Sequence, residues 1–303
     1  MKIQEALLSN KATNYYGFYY LVNGKINHHI GNRNNKEIWN GGKIQELMKI
    51  MIPISIQYPS CIYIIYKWDG ISKENMCMPF DNDILELFTS KIEGKFLVFT
   101  TSIAKNLENI PKLRLLPTPY TLFYHQNPVY AKPSNWSSKI SKAIWCGETS
   151  GLDSTCVNKK LRLLIYNIVK NNESFVYKFT STDLKTPNVP IQPKIMQEEQ
   201  LNYKLILCID GWGWPGNLSW VLYSGCIPVI ISDFNIGITK KMTPWIHYVP
   251  AKTDGSDLNQ NVNRILKNEC EAKRILRNLS QLMNQISTKK SIINELHLSM
   301  KYE

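Results

Sequence analysis

The residues best suited to chemistry lie between Leu205 and Asp233. An apolar run, Leu205-Ile206-Leu207-Cys208-Ile209, ends in Asp210 and opens into Gly211-Trp212-Gly213-Trp214-Pro215-Gly216. A helical stretch follows, then a second apolar run that closes on Asp233. Gly211, Gly213 and Gly216 match the G-x-G-x-x-G pattern between a strand and a helix, and Asp233 comes about twenty residues on, where a dinucleotide fingerprint wants an acid. Backbone N–H groups at a helix start, stripped of side-chain bulk, present positive potential to a pyrophosphate. Trp212, Trp214 and Pro215 are bulky where NAD would need close backbone approach, so pyrophosphate binding in general fits better than NAD. The competing structural reading is a tight strand-to-helix turn whose tryptophans are core.

The elements that must position this loop read as alternating strands and helices. Near the start, Tyr15–Val22 and Lys25–Ile30 flank Asn23-Gly24, the signature of a two-residue hairpin turn. A helix is expected over 44–51, a buried strand over 61–66 leading to Asp69, a helix over 84–92 and a strand over 96–99. Prolines 111, 117, 119, 128 and 133 mark a domain crossing. A second alternation follows: strand 142–145, helix 159–171, strand 174–179, strand 205–209, helix 217–223, strand 227–231, a short strand 246–249, and long helices over 258–287. The pattern implies α/β layers with parallel sheets, a first domain over 1–130 and a second over 131–303. In such sheets ligands sit beyond the carboxyl ends of the strands.

Composition excludes several classes. The 303 residues are 44% hydrophobic and 20% charged, which argues against a disordered chain or a coiled coil. No run approaches the roughly 18 apolar residues of a spanning helix, so no membrane span is expected. Met1–Asn10 has neither a long apolar core nor a small-residue cleavage site, so no signal peptide and a cytoplasmic location are expected. The net charge of +12 attracts polyanions, but the basic residues are scattered in pairs such as Lys159-Lys160, so no dedicated nucleic-acid surface is expected. Seven cysteines without a CxxC spacing fit reduced thiols, and five histidines without ligand spacing give no metal site. The abundance of Lys, Asn and Ile fits AT-rich coding DNA, as in a large DNA virus or a parasite.

Ordered segments carry a resemblance. Ala143-Ile144-Trp145-Cys146-Gly147, Arg162-Leu163, Tyr203-Lys204, Asp210-Gly211-Trp212-Gly213-Trp214, Ser224-Gly225, Pro244-Trp245-Ile246-His247-Tyr248-Val249-Pro250 and Asp254 to Leu258 resemble, in order and spacing, glycosyltransferase family 90, which includes the Rumi-type protein O-glucosyl- and O-xylosyltransferases and the fungal capsule-associated xylosyltransferases. The resemblance implies a GT-B-like α/β fold, two Rossmann-like domains facing across a cleft. It implies an inverting, metal-independent transferase with no essential cofactor. The donor would be a UDP-sugar, glucose or xylose foremost, and the acceptor a hydroxyl on a glycan or protein. It assigns the general base to Asp69, after a strand similar to Cys61–Tyr66. The donor set expected from the loop pattern and the resemblance together is Gly147, Glu148, Thr149, Arg162, Asp210, Gly211, Trp212, Gly213, Trp214, Gly216, Asn217 and His247. Glu148 and Thr149 enter because they follow a strand end, where a solvated turn is an equal reading, and packed core is an equal reading for His247. Trp212 and Trp214 would offer flat faces to uracil or a sugar ring. The chain departs from the Rumi branch where Cys146 and Asn217, or its neighbour, stand in place of arginines. Two other readings therefore stay open: a degraded GT-B-like binding module, and an NAD-dependent oxidoreductase.

Overall fold

The structure, a computed structural model, describes residues 6, 7, 9, 18–29, 41–66, 81–89, 92–107, 110–117, 135–149, 161–181, 189–211 and 213–301. Contacts divide the chain into two compact units. The first holds Met1–Pro119, Phe234–Ile238 and Lys289–Glu303, and the second Tyr120–Asp233 and Thr239–Thr288. Residues 234–238 and 289–303, which the sequence reading assigned to the second domain, thus cluster with the first.

The first unit is built on a mixed sheet in the order β2-β1-β3-β4-β6. Strands β1 (Phe18–Val22) and β2 (Lys25–His29) form the expected hairpin. Asn23 at φ 45° and Gly24 at φ 74° give the left-handed pair that a type I′ turn requires. Ser55 Oγ, from helix α1 (Gly41–Ile56), accepts the Gly24 N–H at 2.9 Å. Strands β3 (Cys61–Tyr66) and β4 (Lys95–Thr100) pair in parallel, as do β4 and β6 (Leu113–Leu115). Helix α2 spans Asp81–Thr89. One strand arrives from far along the chain: β11 (Phe234–Ile236) pairs antiparallel with β5 (Ser102–Ala104).

The second unit holds a five-stranded sheet in the order β12-β10-β9-β7-β8, parallel throughout. Its strands are β7 (Ile140–Glu148), β8 (Phe175–Ser181), β9 (Tyr203–Ile209), β10 (Ile227–Ile231) and β12 (Val249–Pro250). Leu205 to Ile209 and Ile227 to Ile231 are buried without alternation, because crossover helices cover both faces of a parallel sheet. Helix α3 (Leu161–Val169) buries Leu161, Ile165 and Val169. Helices α4 (Gln197–Gln200) and α5 (Leu218–Val221) are single turns. Helix α6 (Leu258–Lys267) buries Leu258, Val262 and Ile265, and α7 (Glu269–Ile286) buries Ala272, Ile275, Leu279 and Met283, each an apolar stripe at helical spacing. Helix α8 (Lys289–Met300) belongs to the first unit, where the Tyr63 hydroxyl donates to the Met300 carbonyl at 3.1 Å.

Chain order in this sheet runs from β7 out to the edge strand β8, then back past β7 to β9, β10 and β12. That is the 2-1-3-4-5 doubly wound order, and it places the topological switch point between β7 and β9.

Gly237, just past β11, is buried with no room for a side chain. A methyl group there would lie 2.7 Å from the Leu116 carbonyl oxygen and 3.3 Å from Pro117 Cα. Backbone cannot yield as a side chain can, so Gly237→Ala should lower stability by about 1–3 kcal/mol, read as a drop in the urea midpoint; an unshifted midpoint would show that this segment does not dock as described.

Candidate functional site

A sheet covered on both faces leaves its backbone polar groups accessible mainly at the strand ends, and the candidate site of the second unit lies there. Strand β7 ends in Trp145-Cys146-Gly147-Glu148, and β9 runs into Asp210-Gly211. These two ends flank the switch point. Arg162, in the first turn of α3, joins them: Nε donates to the Asp210 carbonyl at 3.0 Å and Nη1 to the Glu148 carbonyl at 2.8 Å. Its guanidinium carbon stands 5.4 Å from the centre of the Trp145 ring. Burial pushes the Arg162 pKa below its ordinary value, against the opposing pull of Tyr177, Asp210 and Glu148.

Asp210 is buried and works in two directions. Its carbonyl takes Arg162, and its Oδ2 accepts the Asp233 N–H at 2.7 Å, tying the end of β9 to the end of β10. The Asp233 carboxylate in turn accepts the Thr253 hydroxyl, from the loop after β12, at 3.4 Å. One run of hydrogen bonds therefore crosses the strand ends from Glu148 through Arg162, Asp210 and Asp233 to Thr253. Sequence reasoning named Glu148, Arg162 and Asp210 and treated Asp233 only as a ribose ligand. Thr253 it missed, because nothing in its local sequence marks it.

Trp145, beside the Arg162 guanidinium, belongs to a buried aromatic cluster supplied by β7 and β8. Trp145 stacks on Tyr177 with ring centres 4.4 Å apart and meets Phe179 edge-on at 5.5 Å. The Tyr177 hydroxyl donates to the Arg162 carbonyl at 2.8 Å, and burial holds its pKa well above the ordinary value. Gly147 is glycine for a reason visible here: a methyl group would lie 2.8 Å from Trp145 Cζ2.

The remaining expected donor residues are placed as follows. Thr149 is fully buried, its N–H on the Ser181 carbonyl at 3.3 Å. The Gly211 N–H donates to the Gly213 carbonyl at 3.0 Å, closing a tight turn. Gly213 and Trp214 are buried, and Gly216 is exposed with open space around it. Asn217 turns inward, its Nδ2 donating to the Leu207 carbonyl at 2.8 Å. Cys146 likewise serves the fold, its Sγ accepting the Ile195 N–H at 3.3 Å. The helix expected to hold a pyrophosphate at its start, α5, has four residues, too short to build much of a macrodipole. Asp69, Trp212, Lys159 and Lys160 lie outside the described residues. Among the described residues no group of three or more acids, histidines and cysteines could hold a metal ion, and no helix is long and apolar enough to cross a membrane.

His247 sits apart from this set. The expected strand over 246–249 is a turn followed by the two-residue β12. Val249 pairs with Val229, so residues 244–248 lie toward the amino ends of the sheet. Trp245 adopts a left-handed φ of 64°, a conformation costly for a bulky residue. Its N–H donates to the Tyr248 carbonyl at 2.8 Å. The Arg264 guanidinium covers the Trp245 ring at 4.2 Å while reaching Glu271 through Nε at 3.0 Å and Nη2 at 2.6 Å. These contacts hold a backbone conformation that the tryptophan alone would leave.

Comparison with known proteins places this geometry in context. Residues 126–302, more than half of the chain, match the family described as glycosyl transferase family 90. The uncharacterized protein 035R of Invertebrate iridescent virus 3 is 25% identical over 178 residues, and the uncharacterized protein 179R of Invertebrate iridescent virus 6 is 26% identical over 132 residues. The aligned parts cover 53% and 41% of this chain but 16% and 11% of those proteins, so the chain matches only a small part of the relatives' length. Among solved structures, the sucrose-phosphate synthase of Thermosynechococcus elongatus aligns over 82% of this chain and 60% of its own, with a TM-score of 0.35 and 10% identity.

His247 Nδ1 accepts the Thr243 N–H at 2.8 Å, a role open only to the neutral ring. Burial lowers its pKa from the ordinary 6.5. The unfolded chain then binds the proton more readily, so this contribution is complete above pH 6.5 and is lost as pH falls through the lowered folded value. His247→Asn keeps an acceptor without a titration. Its urea midpoint should fall less than that of the wild type between about pH 7 and about pH 5, and equal slopes would remove His247 as the cause.

Proposed function

The chain belongs to glycosyl transferase family 90, and on that premise we propose that it transfers a sugar from a UDP-sugar to a hydroxyl acceptor with inversion at the anomeric carbon. The observation that carries the reading is the coincidence of family and topology. The match covers the fully parallel sheet, and the switch point between β7 and β9, where doubly wound folds hold nucleotides, is where Glu148, Arg162, Asp210 and Gly211 converge.

In the proposed reaction the acceptor oxygen attacks C1 of the sugar from the face opposite the diphosphate. The new C1–O bond forms as the C1–O bond to the β-phosphate breaks, and a single displacement inverts the centre. The hydroxyl proton passes to Asp69, assigned as general base by the resemblance of the preceding strand, and UDP departs carrying the bonding pair. The loops after β7 and β9 would hold the diphosphate, whose growing negative charge backbone N–H donors there would stabilise. We assign glucose or xylose as the sugar and a glycan or protein as the acceptor on the same resemblance, within a GT-B-like pairing of two Rossmann-like domains. The family match, which spans the strand-to-helix loop that suggested a dinucleotide, sets the NAD reading aside.

A second reading is favoured by one observation. Cys146, and Asn217 or its neighbour, stand where the resemblance to the Rumi branch would put arginines, and Cys146 and Asn217 are both engaged with the fold's own backbone. A module that binds nucleotide or sugar without transferring it would show this.

A thermal-shift panel of UDP, UDP-glucose, UDP-xylose and NADH separates these readings. UDP and one UDP-sugar should raise the melting temperature, because a ligand that prefers the native state stabilises it; a response to NADH alone would end the proposal. Asp69→Asn should cut transfer by about 100-fold or more while UDP affinity stays near wild type. Full turnover in that variant would remove the base assignment, and UDP binding without any turnover in the wild type would favour the module.

A further inference from the structure

A glycine directly after a strand at a switch point is ordinarily space through which a ligand's phosphate approaches the backbone. Beside Gly211 that space holds a side chain of the protein itself. A methyl group at position 211 would lie 2.7 Å from Arg162 Nη2 and 3.3 Å from its Cζ. A long side chain can usually swing aside at little cost, but this one is tethered. Its Nε is on the Asp210 carbonyl, its Nη1 on the Glu148 carbonyl, and the Trp145 ring stands beside it. Its backbone is held as well, by the Tyr177 hydroxyl on the Arg162 carbonyl. Gly211 itself lies outside the positive-φ glycines, so its backbone does not demand a glycine.

The same tethers bear on how Arg162 can act. An arginine grips phosphate side-on through Nε–H and Nη2–H, or end-on through its two terminal nitrogens. Here Nε is committed to a carbonyl, and Nη2 is turned toward Gly211. The two carbonyls it bridges stand at the end of β7 and just past the end of β9, four residues beyond Ile144 and Ile206, the last partners in the β7–β9 ladder.

We propose that Arg162 is a positioning residue that sets the gap between the ends of β7 and β9, and that Gly211 lacks a side chain in order to seat it rather than to admit a pyrophosphate. The inference rests on the donor site assigned under Proposed function, since that gap frames the loops that would hold the diphosphate. Lysine cannot replace the arginine, because one ammonium has no planar fork to span two carbonyls.

A double-mutant cycle tests this, with UDP and uridine titrations by calorimetry and urea unfolding on each protein. Gly211→Ala in the wild-type background should weaken UDP by about tenfold and lower the urea midpoint. In an Arg162→Ala background the same change should alter UDP affinity by less than about twofold and leave the midpoint in place, because the clash is gone. Arg162→Lys should bind UDP no better than Arg162→Ala, and both should lose affinity for uridine as well as UDP. An equal cost for Gly211→Ala with and without the arginine would overturn the proposal, as would an Arg162→Ala variant that loses UDP but keeps uridine. A wild type that binds neither ligand would sink the donor-site reading, and the unfolding cycle would still decide the clamp.

Discussion

A parallel sheet buried on both faces satisfies its own backbone and leaves polar groups to spend only at its strand ends. The second unit depends on that constraint. Leu205–Ile209 and Ile227–Ile231 carry no polar side chain, and the first acids appear where those strands stop, at Asp210 and Asp233. Asp210 is buried, so its carboxylate must be answered by donors nearby. The Asp233 N–H supplies one, and Arg162 adds a cation on the carbonyl of the same residue. Strand ends that would otherwise fray are laced into one edge.

This edge also stands at a covalent boundary. Asp233 is the last residue of the second unit before the chain enters β11 of the first. Its backbone is held by Asp210 and its side chain takes Thr253. The candidate donor edge and the departure point of the chain therefore share residues. A change at Asp210 acts on both through the same hydrogen bonds, so its effects on binding and on stability should not separate cleanly.

Parts of this organisation were legible in the chain itself. Asn23-Gly24 specified the hairpin because few other pairs accept two left-handed residues in sequence. Apolar runs bounded by polar residues located β3, β4, β9 and β10, and the stripe at helical spacing located α6 and α7. Glu148, Arg162 and Asp210 were each legible as candidate residues, but the hydrogen bonds that join them were not. Other features were not legible. The segment 246–249 looked like a strand because it is aromatic and β-branched, but the Arg264 guanidinium over Trp245 and its pairing with Glu271 hold a left-handed turn there instead. Helix α8 and the pairing of β11 with β5 depend on partners far along the chain, which local propensity does not see.

What the sequence determined by itself were the local elements: the alternation of strands and helices, the parallel character of the second sheet, and a glycine-rich bend after β9. These follow from periodicity and from the few backbone shapes each residue type tolerates. Only the tertiary structure decided what that bend is next to. Gly211 reads as ligand space on paper, and in the folded chain Arg162, 49 positions earlier, lies against it. Side chains brought together by a crossover leave no trace in spacing, because their distance is set by how strands order in the sheet and not by how residues follow one another.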